Sequence, residues 1–114
     1  MKTLKINENG TATMIDLYDV NTDTGIMFLV SQDIGSNMRV FFDGALGYSG
    51  NKVNITATHL CDNLLNQERG VILTFPIYGD AYIVGWDKDE NLPFGIDQDQ
   101  YDYLNSMLSS DLVA

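Results

Sequence analysis

Apolar and polar residues alternate along Lys2–Asn7, with Leu4 and Ile6 on one side, which predicts a strand. The Asn9-Gly10 pair after it signals a hairpin turn, and Thr11–Tyr18 reads as the returning strand with Ile15 and Leu17 on one face. Asp19–Gly25 reads as a loop. In Thr24–Asn37, Ile26, Leu29, Val30 and Ile34 recur at helical spacing, and Gly35 suits a left-handed helix stop. The run Ile26–Val30 also fits a buried strand, so both readings stand for this segment. Met38–Asp43 predicts a third strand, and Gly44–Asn54 a long glycine-rich turn.

A second helix is predicted after Asn54 as its cap. Its apolar stripe is Ala57, Leu60, Cys61, Leu64 and Leu65, and Gly70 is its stop. Val71–Phe75 and Asp80–Trp86 read as strands, joined or bent at Pro76 and Gly79. Asp97 and Gln100 have capping-box spacing, which starts a last helix with Tyr101, Leu104 and Leu108 facing inward. The order is ββα-β-α-ββα, an α+β domain over residues 1–114 with a mainly antiparallel sheet and two or three helices. Its expected core is Leu4, Ile6, Ile15, Leu17, Leu29, Val30, Val40, Leu60, Leu64, Ile72, Ile83, Val84, Leu104 and Leu108. The sequence has no internal repeat, low-complexity tract or linker.

Composition agrees with one folded unit. A chain of 114 residues with 45% hydrophobic positions has enough apolar material for one core. A single cysteine excludes an internal disulfide framework and fits a reducing compartment. No apolar run reaches membrane-spanning length and the N-terminus lacks a signal-peptide core, so a cytoplasmic setting without membrane contact is expected. Two N-x-T triplets, at Asn9 and Asn54, read as chance in such a setting.

Charge changes the picture more. The net charge is −10. From Asp80 onward eight acids face one base, a balance of −7, whereas the first 79 residues hold eight acids and five bases. Direct binding to nucleic-acid phosphate is disfavoured, because that affinity comes largely from Lys and Arg. A basic protein partner is favoured, including one that itself binds nucleic acid through a basic groove.

Three stretches carry a resemblance. They are the opening "MKTLKI", "FFDGALGYSGNKVNITATHL" with Asn54, Ala57 and Leu60 in an N-x-x-A-x-x-L pattern, and "IYGDAYIVG". Together they resemble an uncharacterised domain-of-unknown-function family of small phage and mobile-element proteins. The resemblance implies a phage or bacterial cytoplasmic protein from genomes where accessory and counter-defence genes cluster. It supplies no catalytic residues, and the segment Asp19–Ser36 departs from its pattern.

Candidate chemistry narrows as follows. Asp87, Asp89 and Asn91 alternate like the first ligands of a calcium loop, but Leu92 stands where glycine is needed and Gln98 where the closing glutamate belongs. Asp19, Asn21 and Asp23 fail likewise at Thr24 and Val30. His59 and Cys61, two positions apart on a helix, point about 200° from each other, which suits neither a catalytic dyad nor a shared zinc. Lys52 lacks phosphate-loop spacing behind Gly44–Gly50. No metal, cofactor or catalytic residue is therefore assigned. Tyr78, Tyr82, Trp86, Phe94, Tyr101 and Tyr103 interleave with or adjoin the acids, a mixture found at protein-binding surfaces.

The expected function is a non-enzymatic accessory protein that inhibits a host protein through an acidic, aromatic-containing face. Its residues are Asp87, Asp89, Glu90, Asp99, Asp102 and Tyr103, with partial DNA mimicry as a special case. The alternative is a binder that sequesters a nucleotide or other small anion at Arg39, Tyr48, Ser49, Gly50, Asn51 and Lys52. A homo-oligomer would bring copies of that cluster together.

Overall fold

The computed structural model describes residues 2–16, 30–35, 37–42, 52–73, 76–90 and 92–113. Strand β1 (Lys2–Ile6) pairs with β2 (Ala12–Asp16) across the Asn9-Gly10 turn. There the Asn9 carboxamide accepts from Thr11 N and Gly10 N donates to Asn7 O. Strands β3 (Val30–Gly35) and β4 (Met38–Phe42) form a second hairpin. Helix α1 (Ile55–Arg69) follows, then β5 (Ala81–Asp87), the short β6 (Leu92–Phe94) and helix α2 (Gln98–Val113).

All pairings are antiparallel, in the order β2-β1-β5-β4-β3. β6 also pairs with β5, at Gly85–Asp87, beyond the stretch Ala81–Ile83 that β1 occupies. The central strand β5 is therefore paired along its length, and its five consecutive buried residues, Ala81–Gly85, follow from that position. The chain is a single α+β domain, and its 13.0 Å radius of gyration matches the ~13 Å expected for one compact unit of this length.

The register decides what each face buries. Met14, Leu4, Ile83 and Val40 align across four strands, and Ile6, Ala81 and Phe42 across three. Both helices cover this face: Ala57, Leu60, Cys61 and Leu64 of α1 and Leu104, Met107 and Leu108 of α2 belong to the same buried cluster. Phe41, Tyr82 and Val84 form a smaller buried cluster on the opposite face, with Ile15 and Trp86 against it.

One polar residue joins these layers. Asn54 is fully buried, and its carboxamide oxygen caps α1 by accepting from Ala57 N at 3.0 Å. Its carboxamide nitrogen donates to Ile6 O at 2.9 Å and Gly79 O at 2.8 Å. Its backbone N–H donates to Ile77 O at 2.7 Å, and its carbonyl accepts the Thr58 hydroxyl. Being buried and fully engaged, Asn54 is a structural asparagine. Gly70, with φ 65°, ends the helix as expected.

Several expectations need correction. The described half of the predicted first helix, Val30–Gly35, is strand β3. Its pairing with β4 overrides the helical spacing, and Gly35 at φ 86° and Asn37 at φ 58° both have left-handed backbone between the two strands. Gly35 thus stops a strand rather than a helix, and a Cβ there would lie 2.9 Å from the Glu68 side chain. Two helices, not three, occur among the described residues.

Val71–Leu73 is not a strand. Leu73 N is held by the Asp62 carboxylate, and Ile72, expected in the core, is 69% exposed. In β2 the inward residue is Met14, while Ile15 packs on the opposite face. Leu92–Phe94, expected as part of a connection, pairs as β6. Leu17 and Leu29, and the side chain of Val30, lie outside the described residues. The other nine expected core residues, Leu4, Ile6, Val40, Leu60, Leu64, Ile83, Val84, Leu104 and Leu108, are all buried.

Asn54→Ala should destabilise the fold by about 2 kcal/mol or more, because cap loss and two withdrawn donors to buried carbonyls combine. Asn54→Ser, which restores only the cap, should recover at most about 1 kcal/mol. Ile72→Ser should change stability by less than about 0.5 kcal/mol. Urea unfolding of the three variants measures all of this.

Candidate functional site

The acids of the C-terminal third separate into two groups. The first sits on the β5–β6 turn. Asp87 closes β5, and its Oδ1 accepts from Asp89 N at 3.0 Å and Glu90 N at 3.1 Å, so one carboxylate oxygen shapes the turn. Asp87, Asp89 and Glu90 are all exposed. The second group lies on α2, on the far side of β6. Asp97 caps that helix: its carboxylate accepts from Gln100 N and its own N–H donates to the Gln100 carboxamide, as the capping-box spacing predicts. Asp99 and Asp102 are exposed, and Asp102 accepts from Gln98 Nε2 at 2.9 Å.

Tyr103 does not stand with these acids. It is half-buried against the core, and its hydroxyl lies 3.4 Å from Gln67 Oε1 and 3.5 Å from Glu68 Oε1 on α1. Burial, then the Glu68 carboxylate, holds that hydroxyl above the usual phenol value. Its contacts dock α2 onto α1.

Around the turn the end of the sheet forms an open depression of about 420 Å³, lined by Asn37, Trp86, Asp87, Lys88, Asp89 and Phe94. Phe94 pairs with Gly85, and its ring fills the space a side chain at 85 would take, since a Cβ there would collide with the ring. Trp86 is one residue on, so its side chain leaves the sheet on the other face. There the Arg39 guanidinium lies 5.2 Å from the indole centroid and Phe41 packs at 5.9 Å, tilted by 45°. Trp86 N donates to Asn37 O at 2.7 Å, which ties the β3–β4 turn to the β5–β6 hairpin.

The base in this turn makes its described ion pair outside the turn. Lys88 Nζ lies 3.7 Å from Asp33 Oδ2 on β3. Arg69, at the end of α1, donates to both oxygens of Asp33 at 3.1 Å. Burial pushes the Asp33 carboxyl up, but the Gly35 N–H, Arg69 and Lys88 outweigh it and hold the group below its ordinary value. Among the described residues, Asp87, Asp89 and Glu90 have no ion pair. Asp33 and Asn37 are site residues that the sequence reading missed. The signal was present in "DIGSN", an Asp/Gly/Asn turn between two apolar runs.

The alternative anion cluster is described only in part. Arg39 donates to Ser31 Oγ at 3.0 Å and stacks on Trp86. Lys52 lines a different depression, of about 560 Å³, with Asn7, Glu8, Asn9 and Asp80. Glu8 there accepts from Lys52 N, and Asp80 pairs with Lys5. Arg39 pairs with Val84, four residues beyond Asp80 along β5, which is about 13 Å. Two carboxylates thus lie beside Lys52, and Arg39 is not with it. Tyr48, Ser49, Gly50 and Asn51 lie outside the described residues, as do Asp19, Asn21, Asp23 and Asn91.

Cys61 is fully buried and burial pushes its thiol up to about 12, while His59 is exposed, so the two point apart as their spacing predicts. Among the described residues no group of three or more His, Cys, Asp or Glu is placed to hold a metal ion. No described helix is long and apolar enough to cross a membrane. No family model matches the chain, and neither a curated protein nor a solved structure matches it. The likeness to small phage proteins stands on the three quoted stretches alone.

The Asp33 carboxyl gives a signed pH dependence. An unfolded aspartate titrates near ~3.9, and the folded value is lower. Its stabilisation is therefore complete above that range and is lost as pH falls through the folded value. Asp33→Asn should lower the urea midpoint at about pH 7 and narrow the gap to the native protein at about pH 2.5. An equal loss at both pH values would mean that Asp33 acts by packing alone.

Proposed function

We propose that this protein is a non-enzymatic accessory protein of phage or mobile-element type that docks onto a basic partner protein. Its docking face is the β5–β6 turn with Asp87, Asp89 and Glu90, and Asp99 and Asp102 on α2 add to the negative field. The observation that carries this reading is the exposure of Asp87, Asp89 and Glu90 with no ion pair among the described residues, the Lys88 ammonium lying 3.7 Å from Asp33 instead. Exposed charges of one sign mainly speed and orient encounter with a partner of opposite sign. A partner with a basic nucleic-acid groove fits best, since carboxylates would stand where phosphates otherwise lie, and occupation of that groove would inhibit it.

The test replaces Asp89, Glu90, Asp99 and Asp102 together by their amides. None of these four carboxylates caps a helix or closes a turn, so the melting temperature should stay within a few degrees, each change being worth about 0.5 kcal/mol or less. Affinity for a partner captured from bacterial lysate should fall at least about tenfold, or ~1.4 kcal/mol, by calorimetry. Unchanged affinity would sink the acidic-face reading.

A further inference from the structure

The two outer strands of the sheet are finished differently. On β3 the register shifts between Asp33 and Gly35, Asp33 carries Arg69 and Lys88, and Gly35 lies against the Glu68 side chain of α1. A bulge, a charged edge and a covering helix each discourage a further strand. On β2 none of these occurs among the described residues. Its five residues pair with β1 without a shift in register, Ala12–Ile15 carry no charge, and Thr11, Ala12 and Thr13 are exposed. Lys2 and Lys5 balance Glu8 and Asp16, so residues 1–16 are neutral and the net charge of −10 falls wholly on the rest of the chain.

The hairpin settles which backbone groups of β2 face outward. Asn7 N donates to Thr11 O, and the alternation along antiparallel strands makes Lys5–Thr13 and Thr3–Ile15 the next hydrogen-bonded pairs. Ile96 N, donating to Lys2 O from the other side of β1, fits the same alternation. The N–H and C=O of Ala12 and Met14 therefore point to the open edge, without a partner among the described residues. We propose that this edge pairs with β2 of a second copy of the chain, antiparallel, about a two-fold axis at Thr13. That register sets Ala12 of each copy opposite Met14 of the other in hydrogen-bonded pairs, and Thr13 opposite Thr13 in the closer, non-hydrogen-bonded kind. A small residue then faces a large one on the helix side of the sheet, and threonine meets threonine, a favourable cross-strand pair, on the other. The occupant is another copy because the pattern complements itself, and because this edge is the neutral end of a chain that elsewhere repels its own kind. A basic partner is drawn to the acidic end instead.

One strand pair is smaller than a standard interface, so the dimer is expected to be weak, with a dissociation constant of about 10–500 µM. Sedimentation equilibrium of the full chain, from about 10 µM to about 1 mM, should follow a monomer–dimer equilibrium. Thr13→Lys and Thr13→Glu each set like charges against one another on the axis, and each variant alone should stay monomeric over this range. An equimolar mixture of the two should regain dimers, because opposite charges then meet. Ala12→Pro removes an outward N–H and leaves the hydrogen bonds to β1 in place, so it should weaken association at least about tenfold.

Circular dichroism and the melting temperature confirm that each variant is folded, and the mixture of the two exposed-site variants tests the register even if Ala12→Pro unfolds the protein. A native chain that stays monomeric at about 1 mM would overturn the proposal. So would a Thr13→Lys variant that dimerises as the native protein does, a mixture no more associated than its components, or a folded Ala12→Pro variant with native association. The variant with Asp89, Glu90, Asp99 and Asp102 replaced by their amides should dimerise like the native protein, which separates this result from the acidic-face reading. Loss of the dimer in that variant would place the contact on the acidic end and overturn the β2 pairing.

Discussion

The buried carboxamide of Asn54 is the constraint on which the rest depends. It touches the end of β1, Gly79 two residues before β5 and the first turn of α1 in one set of short hydrogen bonds. A buried polar group of this kind stabilises one arrangement only, because a misregistered neighbour would leave its donors without partners. Fixing Gly79 fixes where β5 starts, and the pleat then fixes which β5 residues face the helices. Gly85 faces them and leaves room for the Phe94 ring, while Trp86 faces away toward Arg39. The turn that presents Asp87, Asp89 and Glu90 is therefore aimed from the opposite end of the same strand.

The second constraint is electrostatic. A net charge of −10 is self-repelling, and the fold gives several acids a local task. Asp80 pairs with Lys5, Asp97 caps α2 and Asp87 closes its turn. Four of the six bases are also engaged within the fold: Arg69 and Lys88 on Asp33, Arg39 on Ser31 and Trp86, and Lys5 on Asp80 and the Tyr82 ring. Asp89, Glu90 and Asp99 remain exposed without a described ion pair, and these positions make the surface anionic. Such a distribution suits recognition by charge, since the aromatic rings Trp86, Phe94, Tyr101 and Tyr103 are half-buried rather than standing free.

Helix α1 was legible in the sequence because its cap, stripe and stop agree with one another. The same holds for the capping box of α2 and for Leu4 and Ile6 on β1. The errors came where local pattern and tertiary pairing disagree. Ile34 sits at helical spacing from Val30 yet is buried by a strand, because β4 offers hydrogen bonds across a turn with two positive φ angles. Val71 and Ile72 have strong strand propensity, but the Gly70 stop delivers them to an exposed path without a pairing partner among the described residues. The acids of the candidate site were visible as charge. Asp33 was not, because its role depends on a lysine 55 positions away that only the hairpin geometry brings to it.

Ionic strength separates the acidic-face account from its main physical rival, an apolar contact through the exposed Val71 and Ile72. The measurement is the affinity and association rate of the captured partner from about 0.01 M to 0.15 M salt, over which the Debye length shrinks from roughly 30 Å to 8 Å. Charge-led docking predicts that affinity falls steadily across this range, chiefly through slower association. Affinity that holds constant, or rises on addition of sulfate as apolar burial does, would contradict it.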